Sequence, residues 1–365
     1  MRKRQILLTL VLLLISACAQ PATVATPMVP PTEMPTLLPL TATPTPFPPT
    51  ETLTPLPPTE TSTPLPPTET PEPTPTQIPV EVLASETPEP TPTQIPVEVL
   101  TSLPYAEVSP RQILDVYLPA TGDGPYPTFL AIHGGGFHAR SKAIYQRIGQ
   151  HYAQQGYALV SINYRLTPSD SYPAQVEDSF CALAWLHAHH EEYGFDPNRV
   201  VLTGGSAGGY LAAMLGTVDD PNIYMKDCPY EYPSGEAVQA VVIYYGFYDF
   251  TNIDDYPVSE VSSLTRFWGA KYEDIPTEKL EEMSPIKHID GSEPPFIILH
   301  GTADRDIPSV MSERFAEALE QAGVDVELVL LPDVGHAFEL NPLTGKEMAL
   351  SLSKIEAFLD RVLAP

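Results

Sequence analysis

The sequence predicts an α/β fold with a mostly parallel, doubly wound sheet and a small irregular cap. Three observations point there. Short runs that are apolar on both faces recur through residues 105–365, as strands of a sheet covered on both sides require. Between them lie longer segments of helical period, and such alternation gives right-handed strand–helix–strand crossovers. The third is contrast: residues 19–104 hold 25 prolines and 21 threonines, whereas nearly all aromatics fall after them. That segment cannot bury enough apolar surface to offset its ordering entropy and reads as a disordered linker.

Within 105–365, Ile113-Leu-Asp-Val-Tyr-Leu118 alternates like an edge strand, and Pro127-Thr-Phe-Leu-Ala-Ile132 is a continuous apolar run. Strands follow at Tyr157–Ile162, Arg199–Thr203, Ala237–Ile243, Pro295–Leu299 and Val326–Leu331, with helices over about 141–155, 173–192, 206–217, 308–322 and 343–362. Met348, Leu350, Leu352, Ile355 and Leu359 of the last helix read as core. Two tyrosine-rich insertions, about 219–236 and 247–294, read as irregular cap segments whose aromatics pack the cap rather than stack on sugars.

Residues 1–18 read as an address. Arg2-Lys3-Arg4 precedes an apolar run, Ile6–Ala17, too short to span a bilayer, which is the pattern of a secretory signal. The end of that run, Ile15-Ser16-Ala17-Cys18, resembles a bacterial lipobox, which implies a lipid on Cys18. Several acyl chains give stable anchoring. The linker repeats itself: Glu69–Leu83 recurs intact as Glu86–Leu100. Proline-rich chain of this kind is an extended spacer that holds a domain away from its anchor. Membrane contact is therefore expected through the N-terminal lipid only. The net charge of −27 disfavours nucleic acid as a partner. With Cys18 lipidated, Cys181 and Cys228 are left as a pair, either a disulfide or two buried thiols, and the disulfide is favoured in an oxidising compartment. Nothing has zinc-ligand spacing, so no metal or cofactor is expected. His187, His189 and His190 read as polar residues at a helix end.

Ligands gather at the carboxyl ends of strands in doubly wound sheets. Three strand ends carry chemistry. Arg199–Thr203 runs into Gly204-Gly205-Ser206-Ala207-Gly208-Gly209 and then a helix, so Gly-x-Ser-x-Gly stands between strand and helix as in a nucleophile elbow. The second strand end is His133-Gly134-Gly135-Gly136-Phe137. It lacks the Lys-Ser/Thr of a phosphate loop and reads as an oxyanion hole, with N–H donors from Gly135, Gly136 and Ala207. Which two of the three glycines face the oxyanion stays open. His133 reads as a loop-fixing residue rather than a base. The third end is His300-Gly301-Thr302-Ala303-Asp304, followed one strand later by Gly335-His336. The order Ser206, Asp304, His336 gives nucleophile, orienting acid and base. Asp306 competes with Asp304, but it precedes Ile307-Pro308 and reads as a helix-capping carboxylate.

Together with Asn163-Tyr-Arg-Leu166, these motifs resemble the α/β-hydrolase esterases, closest to a bacterial feruloyl- and acetyl-xylan-esterase-like branch related to hormone-sensitive-lipase-type carboxylesterases. The resemblance implies an α/β-hydrolase fold and hydrolysis of short acyl esters, including acyl groups on polysaccharides, through an acyl-enzyme. Two departures bear on substrate. The long N-terminal cap of the lipase relatives is replaced by the linker, and their Asp-Pro acid motif is replaced by His-Gly-Thr-Ala-Asp; both speak against long-chain lipids. The rival readings are a prolyl-type serine peptidase and a catalytically inactive binding module.

Overall fold

The structure is a computed structural model that describes residues 96–364. The signal segment, Cys18 and the linker up to residue 95 lie outside the described residues. An eight-stranded sheet runs β1 (Val97–Pro104), β2 (Ile113–Pro119), β4 (Ala158–Ile162), β3 (Tyr126–Ile132), β5 (Phe195–Gly205), β6 (Ala240–Tyr244), β7 (Phe296–Gly301), β8 (Val326–Leu331). Pairs β1–β2 and β2–β4 are antiparallel and all others parallel. The central strands β4 and β6 are buried along their whole length, as their continuous apolar runs require.

The described helices are α1 (Gln146–Gln154), α2 (Ala174–Ala188), α3 (His190–Tyr193), α4 (Ala207–Thr217), α5 (Val258–Trp268), α6 (Thr277–Glu282), α7 (Val310–Ala322) and α8 (Lys346–Val362). They form two outer layers. Ile148 and Tyr152 of α1 and Met348, Leu352, Ile355 and Leu359 of α8 bury one face of the sheet. Val176 and Phe180 of α2, Leu211 of α4 and Phe315 of α7 bury the other. Among the described residues no helix is long and apolar enough to cross a membrane.

Four expectations need correction. The sheet begins inside the segment read as linker, because Val97–Pro104 pair with β2. The one proline of that stretch, Pro104, stands at its end, where an edge strand tolerates it, and the composition of the whole segment hid the strand. As a consequence β2, read as an edge strand, is an interior one. The 247–294 insertion is not irregular. It holds α5, where Leu264, Phe267 and Trp268 recur at helical spacing and are buried, and α6. Leu350 is exposed, two residues out of phase with the Met348–Leu352–Ile355–Leu359 stripe.

The insertions pack as expected. Tyr224 stacks on Phe180 at 5.4 Å, and its hydroxyl stands 2.6 Å from that of Tyr172. Tyr248 stacks on Phe315. Cys181 of α2 and Cys228 are joined in a disulfide with 5.4 Å between Cα atoms, which ties the first insertion to the domain. His187, His189 and His190 each set a ring nitrogen against a backbone carbonyl. Among the described residues no group of His, Cys, Asp or Glu side chains is placed to hold a metal.

Candidate active site

The carboxyl ends of β3, β5, β6, β7 and β8 open on one cavity of about 190 Å³. Gly134, Gly135 and Gly136 line it from the loop after β3, Ser206 from the end of β5, Tyr245 from β6, Asp306 from β7, and His336 and Glu339 from β8. Helix α5 adds Glu260 and Ser263, so the second insertion covers the cavity.

Ser206 sits at φ 58° and ψ −124°, a conformation that non-glycine residues rarely adopt. Its N–H donates to Tyr244 O at 3.0 Å, which pins the turn to β6, and its carbonyl accepts from Tyr210 N at 3.0 Å, which starts α4. The turn works only because β3, β5 and α4 approach closely. A Cβ at Gly208 would collide with the Ile132 carbonyl oxygen. The consequence is a serine held out of the turn at a helix N-terminus, where negative charge is favoured.

Asp304 follows β7, and its side chain is fully buried. Its Oδ2 accepts from His336 Nδ1 at 2.7 Å. Its Oδ1 accepts from the backbone N–H of Asp306 at 2.9 Å and of Ile307 at 3.0 Å. His300 Nε2 stands 3.4 Å from Oδ2, and its Nδ1 lies 2.7 Å from Ser312 Oγ. Burial opposes charge on Asp304, but the hydrogen bonds from His300, His336 and Ile307 outweigh it and hold the carboxyl well below the usual carboxylate range. An ionised Asp304 fixes His336 with its proton on Nδ1, leaving Nε2 for a group in the cavity.

Asp306 does not take the role expected of it. Helix α7 begins at Val310 with Ser309 before it, and Asp306 lines the cavity instead. The capping bonds of this turn are made by Asp304, whose two oxygens serve the turn and the histidine separately.

Gly135 and Gly136 have φ of +115° and +58°, and the loop closes by His138 N and Ala139 N donating to Gly135 O. Gly135 and Gly136 line the cavity, and Ala207 is the first residue of α4, directly after Ser206. His133 is fully buried and stacked on Tyr164 at 4.2 Å, with Nδ1 2.7 Å from Gly134 O. Burial pushes its pKa down to about 3, so it is a neutral loop residue, as expected. Asp178 accepts from Arg165 N and Nε and from Gln112 Nε2, which moors the Asn163–Leu166 segment to α2.

Sequence reasoning assigned no role to His300, Tyr245, Glu260 or Glu339. His300 carried a signal, since it closes β7 four residues before the acid. The others come together only through folding of separate loops.

A mostly parallel sheet with a serine elbow after β5, an acid after β7 and a histidine after β8 defines the α/β-hydrolase class. The BD-FAE family model matches residues 114–319, more than half of the chain, and the chain belongs to that family. The probable carboxylic ester hydrolase LipM of Mycobacterium tuberculosis is 33% identical over 71% of this chain and 60% of its own length. The chain thus spans about three fifths of the curated relatives it matches. Among solved structures, the propionate-bound Est2 esterase of Thermogutta terrifontis is 28% identical with a TM-score of 0.59, covering 75% of this chain and 98% of that one. A truncated carbohydrate esterase from gut microbiota, 24% identical, shares the fold with a TM-score of 0.63 over 72% of this chain and 95% of that one.

The geometry separates the two aspartates. Asp304→Asn should lower kcat on an activated acetyl ester by about 10⁴-fold, because the imidazole is left in the wrong tautomer. Asp306→Asn should stay within about tenfold of wild type, since it holds neither the histidine nor the helix. Steady-state kinetics of both variants checks this, and the reverse order would transfer the acid role to Asp306.

Proposed function

We propose that this chain is a serine carboxylesterase that cleaves short-chain carboxylic esters through an acyl-enzyme. The observation that carries the reading is the 2.7 Å bond from His336 Nδ1 to buried Asp304, in the cavity that Ser206 lines. Ser206 Oγ attacks the ester carbonyl while His336 Nε2 takes its proton. Negative charge then develops on the former carbonyl oxygen, where N–H groups of Gly135, Gly136 and Ala207 receive it. Each such donor is worth about 10²–10³ in rate. His336 returns the proton to the leaving alcohol, and Asp304 stabilises the imidazolium in between. Water then repeats the sequence on the acyl-enzyme, with His336 again as base.

The size of the cavity supports a short acyl group. About 190 Å³ is well under the volume that holds a drug-sized ligand. The Thermogutta esterase at 27–28% identity was solved with butyrate and with propionate, which supports the same class. Acyl groups on polysaccharides fall within it, and we place them among the substrates on the motifs of the resembled branch.

We also propose an extracytoplasmic location, with the domain tethered through a lipid on Cys18. The lipobox-like Ile15-Ser16-Ala17-Cys18 supports the anchor. The Cys181–Cys228 disulfide supports an oxidising compartment.

Ser206→Ala should lose on the order of 10⁴-fold or more in kcat on an activated acetyl ester while its melting temperature stays near wild type. Turnover close to wild type in that purified variant would remove Ser206 from the mechanism. Cys18→Ser should move the protein from the membrane fraction to the soluble one with unchanged specific activity; equal retention in membranes would place the anchor elsewhere.

A further inference from the structure

One end of the active cavity holds polar groups that the mechanism above does not use. Glu339 follows His336 by three residues and is 4% exposed; Tyr245 is 1% exposed. Both line the cavity with Ser206 and His336. Both carry a buried oxygen without a hydrogen-bond partner, Oε2 of Glu339 and Oη of Tyr245. They meet behind the nucleophile. A Cβ built on Gly205 would stand 2.5 Å from Glu339 Oε1 and 3.0 Å from Tyr245 Oη, so the glycine before the serine leaves this space to the two side chains.

Buried polar atoms left unpaired each forfeit about 1–3 kcal/mol, so two of them at one cavity call for a partner. Burial pushes the Glu339 carboxyl up to about 8. At neutral pH it is therefore protonated and offers both a donor and an acceptor, as the tyrosine hydroxyl does. The complementary group is one that also donates and accepts, which is a hydroxyl.

The position selects which half of the ester carries it. His336 must hand its proton to the leaving alcohol, so the alcohol half lies against the imidazole. The Tyr245 ring packs on that imidazole with centroids 4.4 Å apart, and its backbone is held at φ +36° by the bond from its N–H to Leu299 O. Glu339 lies on the short turn Phe338–Leu340 that follows His336.

We propose that Glu339 and Tyr245 form a specificity subsite that binds a free hydroxyl on the alcohol half of the ester, as in a partly acylated polyol or sugar. This rests on the esterase reading and deepens it. The subsite favours alcohols with a hydroxyl near the ester oxygen, and an alkyl ester of the same length leaves both buried groups unpaired.

The test compares glycerol 1-acetate with propyl acetate, which share acyl group and chain length and differ in two hydroxyls. Wild type should prefer glycerol 1-acetate in kcat/KM. Tyr245→Phe and Glu339→Leu should each reduce that preference by about tenfold, the worth of one hydrogen bond, chiefly through KM for the glycerol ester, whereas Glu339→Gln, which keeps a donor and an acceptor, should retain most of it. Tyr245→Phe keeps the ring against His336 and removes one oxygen, so it decides the matter if Glu339→Leu does not fold. No preference in wild type would overturn the subsite, as a resident water in that place would give. An equal loss on both esters would also overturn it, since that is the mark of a purely structural role. Wild type that cleaves neither ester would instead overturn the esterase reading and the subsite with it.

Discussion

The site depends on one strained residue. Ser206 is held at a φ and ψ that cost on the order of 1–3 kcal/mol, and it persists only because its surroundings over-determine it. Strand β5 is paired on both sides, by β3 and β6, so it cannot shift to relieve the turn. Helix α4 buries Leu211, Met214 and Leu215 against the sheet, and each such side chain contributes about 1.5–3 kcal/mol. The packing gain exceeds the strain, and the chain places its serine outward at the head of the helix. The small residues around the turn and the closeness of β3 both follow from that constraint.

Two carboxyls near this serine are driven in opposite directions. Asp304 is enclosed, but two backbone N–H groups, His336 and His300 donate toward it, and its charge is kept. Glu339 is enclosed more completely, and burial outweighs the backbone N–H groups of Glu339 and Leu340 and the charge of Arg140, so its carboxyl is pushed up to about 8. An ionised acid can orient a histidine and stabilise its cation, whereas a protonated one can present a hydrogen to a neutral ligand. Environment alone divides the labour between them. Glu260 of α5, its carboxyl also pushed up by burial and by Asp306, lies on the same cavity and adds to its acidic rim.

Much of this was legible in the sequence, for a physical reason. Strands β3, β4, β6 and β7 are covered on both faces, so their apolar runs are continuous and stand out, and the helices between them keep a clear period. Ser206, Asp304 and His336 each follow such a strand, and their positions could be read from the strand ends. Strand β1 was hidden because its first four residues, Val97–Leu100, close a repeat whose composition is dominated by proline and threonine. Helix α5 carries a legible period, with Leu264, Phe267 and Trp268 on a buried face and Glu260 and Ser263 toward the cavity, but the tyrosines and prolines of the flanking segments gave the insertion as a whole the look of a loop. The cap role expected of Asp306 failed because Asp304 turns its second oxygen onto the backbone of that same turn. The closeness of both Glu339 and Tyr245 to Gly205 could not be read at all, because it arises from two loops folded against that glycine.

The central claim is that Ser206 is the nucleophile of a charge-oriented triad. Reaction of the full chain with an alkyl fluorophosphonate, followed by intact mass measurement and peptide mapping, tests it most directly. The account predicts one phosphonyl group per chain, on the peptide that carries Ser206, and none on a chain with Ser206→Ala. An unmodified wild-type protein, or a phosphonyl group mapped to any other residue, would contradict it.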